Sequence, residues 1–211
     1  RDFKITDTDF ELLRAIGGEC AGALSILPVD RKPSGQRHYH PLSDSELANL
    51  VARRGRILVD WPAGERPRLS LAGAQNKCPI LVRQDHFFLP QQEAPSSHIL
   101  KFELADYRHL PAYETFTSHL AKSIGLPVVE IELRSIEKTR YALIARYDRV
   151  RDAQGEVQRL HQEDFCQASG RSRTAKYADQ GASLAIVADV LRRHSSRAAA
   201  DLQQVIRWQV F

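Results

Sequence analysis

Leu71-Ala-Gly-Ala-Gln-Asn-Lys77 places small side chains and a glycine where a chain of phosphates would have to approach the backbone. By itself Gly73 marks only a turn. Its meaning comes from a second residue, Lys101, inside the apolar run His98-Ile-Leu-Lys-Phe-Glu103. A lysine there is costly unless its ammonium reaches a phosphate or a carboxylate. Glu114, on the next helical segment, is the natural carboxylate for an ion pair that holds it. The expected chemistry is the binding of a nucleotide's phosphates by the loop residues Ala72, Gly73, Ala74, Gln75, Asn76 and Lys77 together with Lys101.

The elements that must position these residues are readable from pattern. Cys78 to Arg83 and His86 to Pro90 are β-rich runs around the polar turn Gln84-Asp85, a hairpin. Ser97 to Glu103 alternates, with Ile99, Lys101 and Glu103 on one face and Leu100 and Phe102 on the other. Pro111 to Gly125 reads as a helix with Phe116, Leu120 and Ile124 as its apolar stripe. Val128 to Ile136 and Arg140 to Tyr147 read as a second hairpin around Glu137-Lys-Thr. Two strands, a strand, a helix and two strands is the order of a protein-kinase-like small lobe, so the expected class is α+β, an antiparallel sheet plus helix.

Ahead of that lobe, residues 5–18 read as a helix, Ala23 to Leu27 as a strand-like run, and Ser43-Asp-Ser-Glu46 as a capping box opening a helix from Glu46 to Arg53. Trp61-Pro-Ala-Gly-Glu-Arg-Pro67 is the best internal boundary. Behind the lobe, Asp152-Ala-Gln-Gly155 is a turn. Helices are expected at Gln162 to Gln167, Ser183 to Arg193 and Ala198 to Phe211, the last with Leu202, Val205 and Val210 on its apolar side. The expected division is 1–66, 67–150 and 151–211.

Composition sets limits. The 211 residues are 43% hydrophobic and 27% charged, which fits an ordinary globular core. No apolar run approaches the roughly 20 residues of a membrane helix, so a soluble, cytoplasmic protein with no membrane partner is expected. The three cysteines have no metal spacing. His38 and His40 could share a metal face, but no third ligand accompanies them, and a structural role is the better reading. The formal charge of +4 suits a phosphate ligand, while the basic groups are scattered and read as solvated faces. The chain begins at Arg1 and contains no methionine, and reads as a fragment.

Ser-Leu-Ala-Gly-Ala-Gln-x-Lys at 70–77 resembles the signature loop of the HipA family, the serine/threonine kinases of bacterial toxin-antitoxin modules. The resemblance continues through His98-Ile-Leu-Lys101, Ala145-Arg-Tyr-Asp-Arg149, Arg159-Leu-His-Gln-Glu-Asp-Phe-Cys-Gln167 and Lys176-Tyr177. It implies that residues 1–66 are a remnant of the family's N-terminal subdomain and that 151–211 begin a helical C-terminal lobe. It implies that Ala145, Arg146 and Tyr147 form the adenine-contacting linker and that Ser70 is autophosphorylated, a self-inactivating step. It also implies ATP and Mg2+ as cofactors, a protein substrate such as glutamyl-tRNA synthetase, and a HipB-like antitoxin that brings DNA indirectly.

In the family the catalytic aspartate loop and the metal ligands follow a helix resembling Arg207-Trp-Gln-Val-Phe211. The catalytic Asp is therefore expected beyond Phe211, with no catalytic or metal-binding residue in this chain. Asp44 with Asn49, and Asp164-Phe165-Cys166, are accidental likenesses to kinase motifs. The rival readings are a non-catalytic nucleotide- or partner-binding regulatory module and, less favoured, direct nucleic-acid binding by the basic surface.

Overall fold

The computed structural model describes residues 17–30, 32–33, 35–56, 75–172, 175–176 and 181–211. Its class is α+β, with eight strands and five helices among the described residues. The chain divides into two units, residues 1–118 with 129–161, and residues 119–128 with 162–211.

The first unit is built on a six-stranded antiparallel sheet. Its strands are β1 (Tyr39–Pro41), β2 (Lys77–Arg83), β3 (His86–Pro90), β4 (His98–Phe102), β5 (Ile131–Ile136) and β6 (Thr139–Ala145), in the spatial order β1-β3-β2-β4-β6-β5. The β2–β3 turn forms because Gln84 and Asp85 both take positive φ, 49° and 61°, which matches the twist of the flanking strands. Pro79 is tolerated in β2 because it lies beyond the β2–β3 ladder, which covers only Leu81 to Arg83.

The pleat gives the sheet two faces. Cys78, Ile80, Leu100, Phe102, Tyr141 and Leu143 point to one of them and pack with Leu47, Leu50 and Val51 of helix α1 (Asp44–Ala52). Lys77, Lys101, Ala142 and Leu133 are aligned by register on the other. Helix α2 (Leu110–Ser123) reaches that second face through Glu114.

The ends of α1 show how the sequence fixes it. Ser43 Oγ accepts from the Glu46 N–H, and Glu46 accepts in return from the Ser43 N–H at 2.9 Å, the expected capping box. At the other end the Arg54 N–H donates to Val51 O and the Gly55 N–H to Leu50 O, a Schellman closure. Gly55 has φ +83°, and a Cβ there would lie 2.7 Å from the Phe102 ring. Only glycine lets the helix end sit against that strand.

Four expectations need correction. Ala23 to Leu27 is not a strand, because arginine side chains take up carbonyls of the segment just before it (Cys20 and Gly22) and the Ser25 hydroxyl, where a strand would need a ladder. The face of α2 bearing Phe116, Leu120 and Ile124 is exposed, Phe116 at 67%, whereas Pro111, Thr115 and Ala121 are buried. Small residues, not the large ones, pack inward. The helix expected at Gln162 to Gln167 is α3 (Phe165–Ala168), which starts later because Asp164 is its N-cap. The short hairpin of β7 (Arg149–Arg151) and β8 (Val157–Arg159) was not expected from pattern at all. The helix expected at 5–18 lies outside the described residues.

The second unit contains α3, α4 (Leu184–His194) and α5 (Ala198–Val210). Ser183 caps α4 through the Ile186 N–H, as its position predicts. Asp164 also binds Lys176 at 2.8 Å, giving these two residues a structural role. Arg207 donates to the carbonyl of Ile124 at 3.1 Å and so ties α5 to the end of α2. No helix among the described residues is long and apolar enough to cross a membrane.

The capping box makes stability acid-sensitive. Hydrogen bonds from the Ser43 N–H and hydroxyl, then His40, pull the Glu46 pKa down to about 2 from an ordinary 4.5. A carboxylate depressed by folding stabilises above its unfolded value and loses that contribution as pH falls through the folded one. Ser43→Ala should cost about 0.5–2 kcal/mol in urea unfolding. The deficit of Glu46→Gln should be full above about pH 4.5 and vanish near pH 2.

Candidate nucleotide-phosphate site

Lys77 on β2 and Lys101 on β4 are direct cross-strand partners. The Phe102 N–H donates to Asn76 O at 3.2 Å, so the neighbouring pair carries the hydrogen bonds and the lysines form the closer, non-bonded kind. Side chains of such a pair stand side by side on one face, and like charges placed there repel. Glu114 of α2 answers the repulsion through an ion pair between its Oε1 and Lys101 Nζ. The face thus carries two lysines, one of which, Lys101, is paired with Glu114.

Lys77 bears the cost of this arrangement. Burial, then the charge of Lys101, pull its pKa below the ordinary lysine value, with Glu114 partly compensating. Gln75, the first described residue of the loop, donates from Nε2 to Phe102 O at 3.1 Å and clips the loop's end to β4. The structure thus brings together Gln75, Asn76, Lys77, Lys101 and Glu114. Ser70, Ala72, Gly73 and Ala74, and also Tyr177, lie outside the described residues.

Ala145, Arg146 and Tyr147 follow β6 and meet three different fates. The N–H of Ala145 donates to Glu130 O at 2.8 Å and that of Arg146 to Ser97 O at 3.0 Å. The guanidinium of Arg146 is buried and fully committed inward. It donates to Glu19 at 2.9 Å, to Asp148 at 2.9 and 2.7 Å, and to Ser96 Oγ at 2.9 Å. Tyr147 is 68% exposed, so of the three it alone presents its side chain outward.

Arg146 belongs to a closed ring of charges that sequence reasoning missed. Glu19 and Asp148 are each bridged by Arg146 and by Arg149, with Arg149 at 2.8 Å from Glu19 and 2.9 Å from Asp148. Ser96 N–H and Oγ add donors to Glu19 at 3.0 and 3.1 Å, and the Gly22 N–H donates to Asp148 at 2.7 Å. Burial opposes the charge of Arg146, but its bonds to Asp148 and the charge of Glu19 raise its pKa. Burial likewise opposes ionisation of Asp148, yet Arg146 and the Gly22 N–H hold its pKa below the usual carboxylate value. The clue available in sequence was the charge alternation Arg146-x-Asp148-Arg149 directly after a buried strand. Nothing local pointed to Glu19.

The match to a known family covers Lys77, Lys101 and Glu114, and Arg146, Asp148 and Arg149 of the ring. The family model for the HipA-like C-terminal domain matches residues 69–211. The chain belongs to the HipA family. It is 40% identical to the Sinorhizobium fredii protein named "Putative kinase Y4mE", over 96% of this chain and 50% of that protein. It is 34% identical to the serine/threonine-protein kinase toxin HipA of Shewanella oneidensis, over 80% of this chain and 38% of that protein. A solved complex of HipA, HipB and operator DNA from Shewanella oneidensis aligns with TM-score 0.74 and 26% identity, over 95% of this chain and 50% of that one. The chain thus spans half or less of the length of these HipA relatives.

Removing one member of the ring leaves buried arginines undercompensated. Glu19→Gln should lower the unfolding free energy by about 3–5 kcal/mol. The exposed change Glu137→Gln should stay within about 0.5 kcal/mol. Equal midpoints and slopes for the two variants in urea would show that the ring does not hold the fold.

Proposed function

We propose that this chain binds the phosphates of ATP as part of a HipA-like serine/threonine-protein kinase. The observation that carries the reading is the cross-strand pair Lys77–Lys101 with Glu114. Two ammonium groups held side by side on one face repel, and an added anion between them relieves that repulsion. Held on two strands of one sheet, they need little reorganisation to receive it. Residues 67–150 would then be the kinase-like small lobe, Lys101 and Glu114 its lysine–glutamate pair, and Ala72 to Asn76 the loop over the phosphates.

Bound MgATP would supply the phosphoryl group. What the described residues contribute is binding and orientation: Lys77 and Lys101 on phosphate oxygens, Glu114 fixing Lys101, and Tyr147 with the carbonyls near it beside the base. Among the described residues no three His, Cys, Asp or Glu side chains are grouped to hold a metal. Transfer to a protein serine, with a translation factor such as glutamyl-tRNA synthetase as the target, is proposed for the whole protein. So are autophosphorylation at Ser70 as an off-switch and a HipB-like partner. The similarity to HipA in a HipA, HipB and operator DNA complex supports that last element.

Titration of the 211-residue chain with a fluorescent ATP analogue tests the binding. Lys101→Ala should weaken it by roughly tenfold to a hundredfold, the loss of one charge-assisted contact, and Lys101→Arg by less. Because the Lys77 pKa is lowered, its positive charge is lost at a lower pH than for an ordinary lysine. Affinity should therefore fall as pH rises toward that range. Unchanged affinity in Lys101→Ala would put the phosphates away from this face, and no binding by either chain would leave the module reading, in which the face binds a partner.

A further inference from the structure

Glu114 can hold Lys101 only where α2 is set correctly against the sheet. The chain reaches α2 from β4, the strand of Lys101, through the connection Glu103 to His109. That connection is fastened at its last residue. His109 takes a positive φ of 64°, uncommon for a residue with a side chain. Its N–H donates to Glu103 Oε2 at 2.6 Å, and its carbonyl accepts a helical bond from the Tyr113 N–H at 2.9 Å. Arg140 of β6 donates to His109 Nδ1, and Tyr113 stands edge-on to the same ring, with centroids 6.4 Å apart. The first turn of α2 has no acidic residue, so the Glu103 carboxylate sits where the helix has its positive pole and an N–H to satisfy.

We infer that Glu103 is a positioning residue for the phosphate site: it holds the N-terminus of α2 and through it sets Glu114 against Lys101. This deepens the nucleotide reading above and rests on it. The path is short and continuous. Glu103 binds the residue from which α2 starts, Glu114 follows five residues later, and Glu114 returns to Lys101, two residues before Glu103.

Charge alone makes the opposite demand. A carboxylate two residues from a phosphate-binding lysine repels an anion, so as a mere surface charge Glu103 would weaken nucleotide binding and its removal would tighten it. As a positioning residue it strengthens binding, and its removal must weaken it. The two roles differ in sign. They also differ in chemistry, since Glu103→Gln loses the charge but keeps an oxygen that can accept from the His109 N–H.

The test is titration of the 211-residue chain and its variants with a fluorescent ATP analogue, each variant's fold verified by circular dichroism. Glu103→Ala should weaken binding roughly threefold to tenfold, part of the loss of one charge-assisted contact. Glu103→Gln should bind at least as tightly as the unaltered chain. Glu103→Ala added to Glu114→Gln should cost nothing further, because both act through the Lys101 ammonium. Tighter or unchanged binding in Glu103→Ala overturns the inference, as does an equal loss in Glu103→Gln or full additivity with Glu114→Gln. Hydrogen exchange without ligand reads the hold on α2 by itself. The Tyr113 amide should exchange faster in Glu103→Ala than in Glu103→Gln, and equal rates overturn the inference too. No binding by the unaltered chain removes the nucleotide reading and this inference with it, whereas binding that Glu103→Ala leaves intact removes this inference alone.

Discussion

The ring of Glu19, Arg146, Asp148 and Arg149 is the constraint on which the first unit depends. Four ionised groups with side-chain exposures between 0% and 5% cannot persist unless each is answered, because desolvation of a single charge costs several kcal/mol. The alternating geometry meets that demand: each carboxylate touches both guanidinium groups, and Ser96 and the Gly22 N–H complete the donors. One consequence is topological. A segment near residue 20, with no ladder of its own, is locked to the chain leaving β6 some 126 residues later. A second concerns direction, since burying Arg146 and Asp148 on one side turns Tyr147 outward between them.

The same sheet carries a second set of charges. On its inner face the pleat puts an apolar cluster against α1. On the other face it aligns Lys77 with Lys101, and α2 contributes one carboxylate. The contrast with the ring is informative. Buried charges there are matched two against two, whereas here two lysines are set side by side on a partly exposed face. The first cluster is sealed from solvent, while the second places two lysines where a ligand can approach. Family membership makes a nucleotide phosphate the most economical identity for it.

Sequence pattern made the sheet legible where alternation is strict. The alternation of β4 put Lys101 opposite Leu100 and Phe102, and the turn residues Gln84-Asp85 marked the hairpin. Ser43-x-x-Glu46 announced the cap of α1. Reading failed where long-range side-chain bonds decide the outcome. Ala23 to Leu27 has strand composition, but arginines just after β6, in β7 and in β8 took up carbonyl and hydroxyl groups in and just before it. Phe116, Leu120 and Ile124 have helical spacing, but spacing does not say which face is buried, and Pro111, Thr115 and Ala121 are the buried ones. Lys101 and Glu114 were legible as a pair because both lie on elements whose order is simple. Arg146 was placed in the adenine-contacting linker by resemblance alone, and its ring partner Glu19, 127 residues earlier, is beyond the reach of any local pattern.

The central claim is that the Lys77–Lys101 face holds nucleotide phosphate. A crystal structure of the chain with a non-hydrolysable ATP analogue tests it most directly. The account predicts phosphate oxygens within hydrogen-bond reach of both Nζ atoms, about 2.7–3.2 Å, with Lys101 still tied to Glu114 and the four-charge ring intact. Analogue bound elsewhere, or phosphates that touch neither lysine, would contradict it.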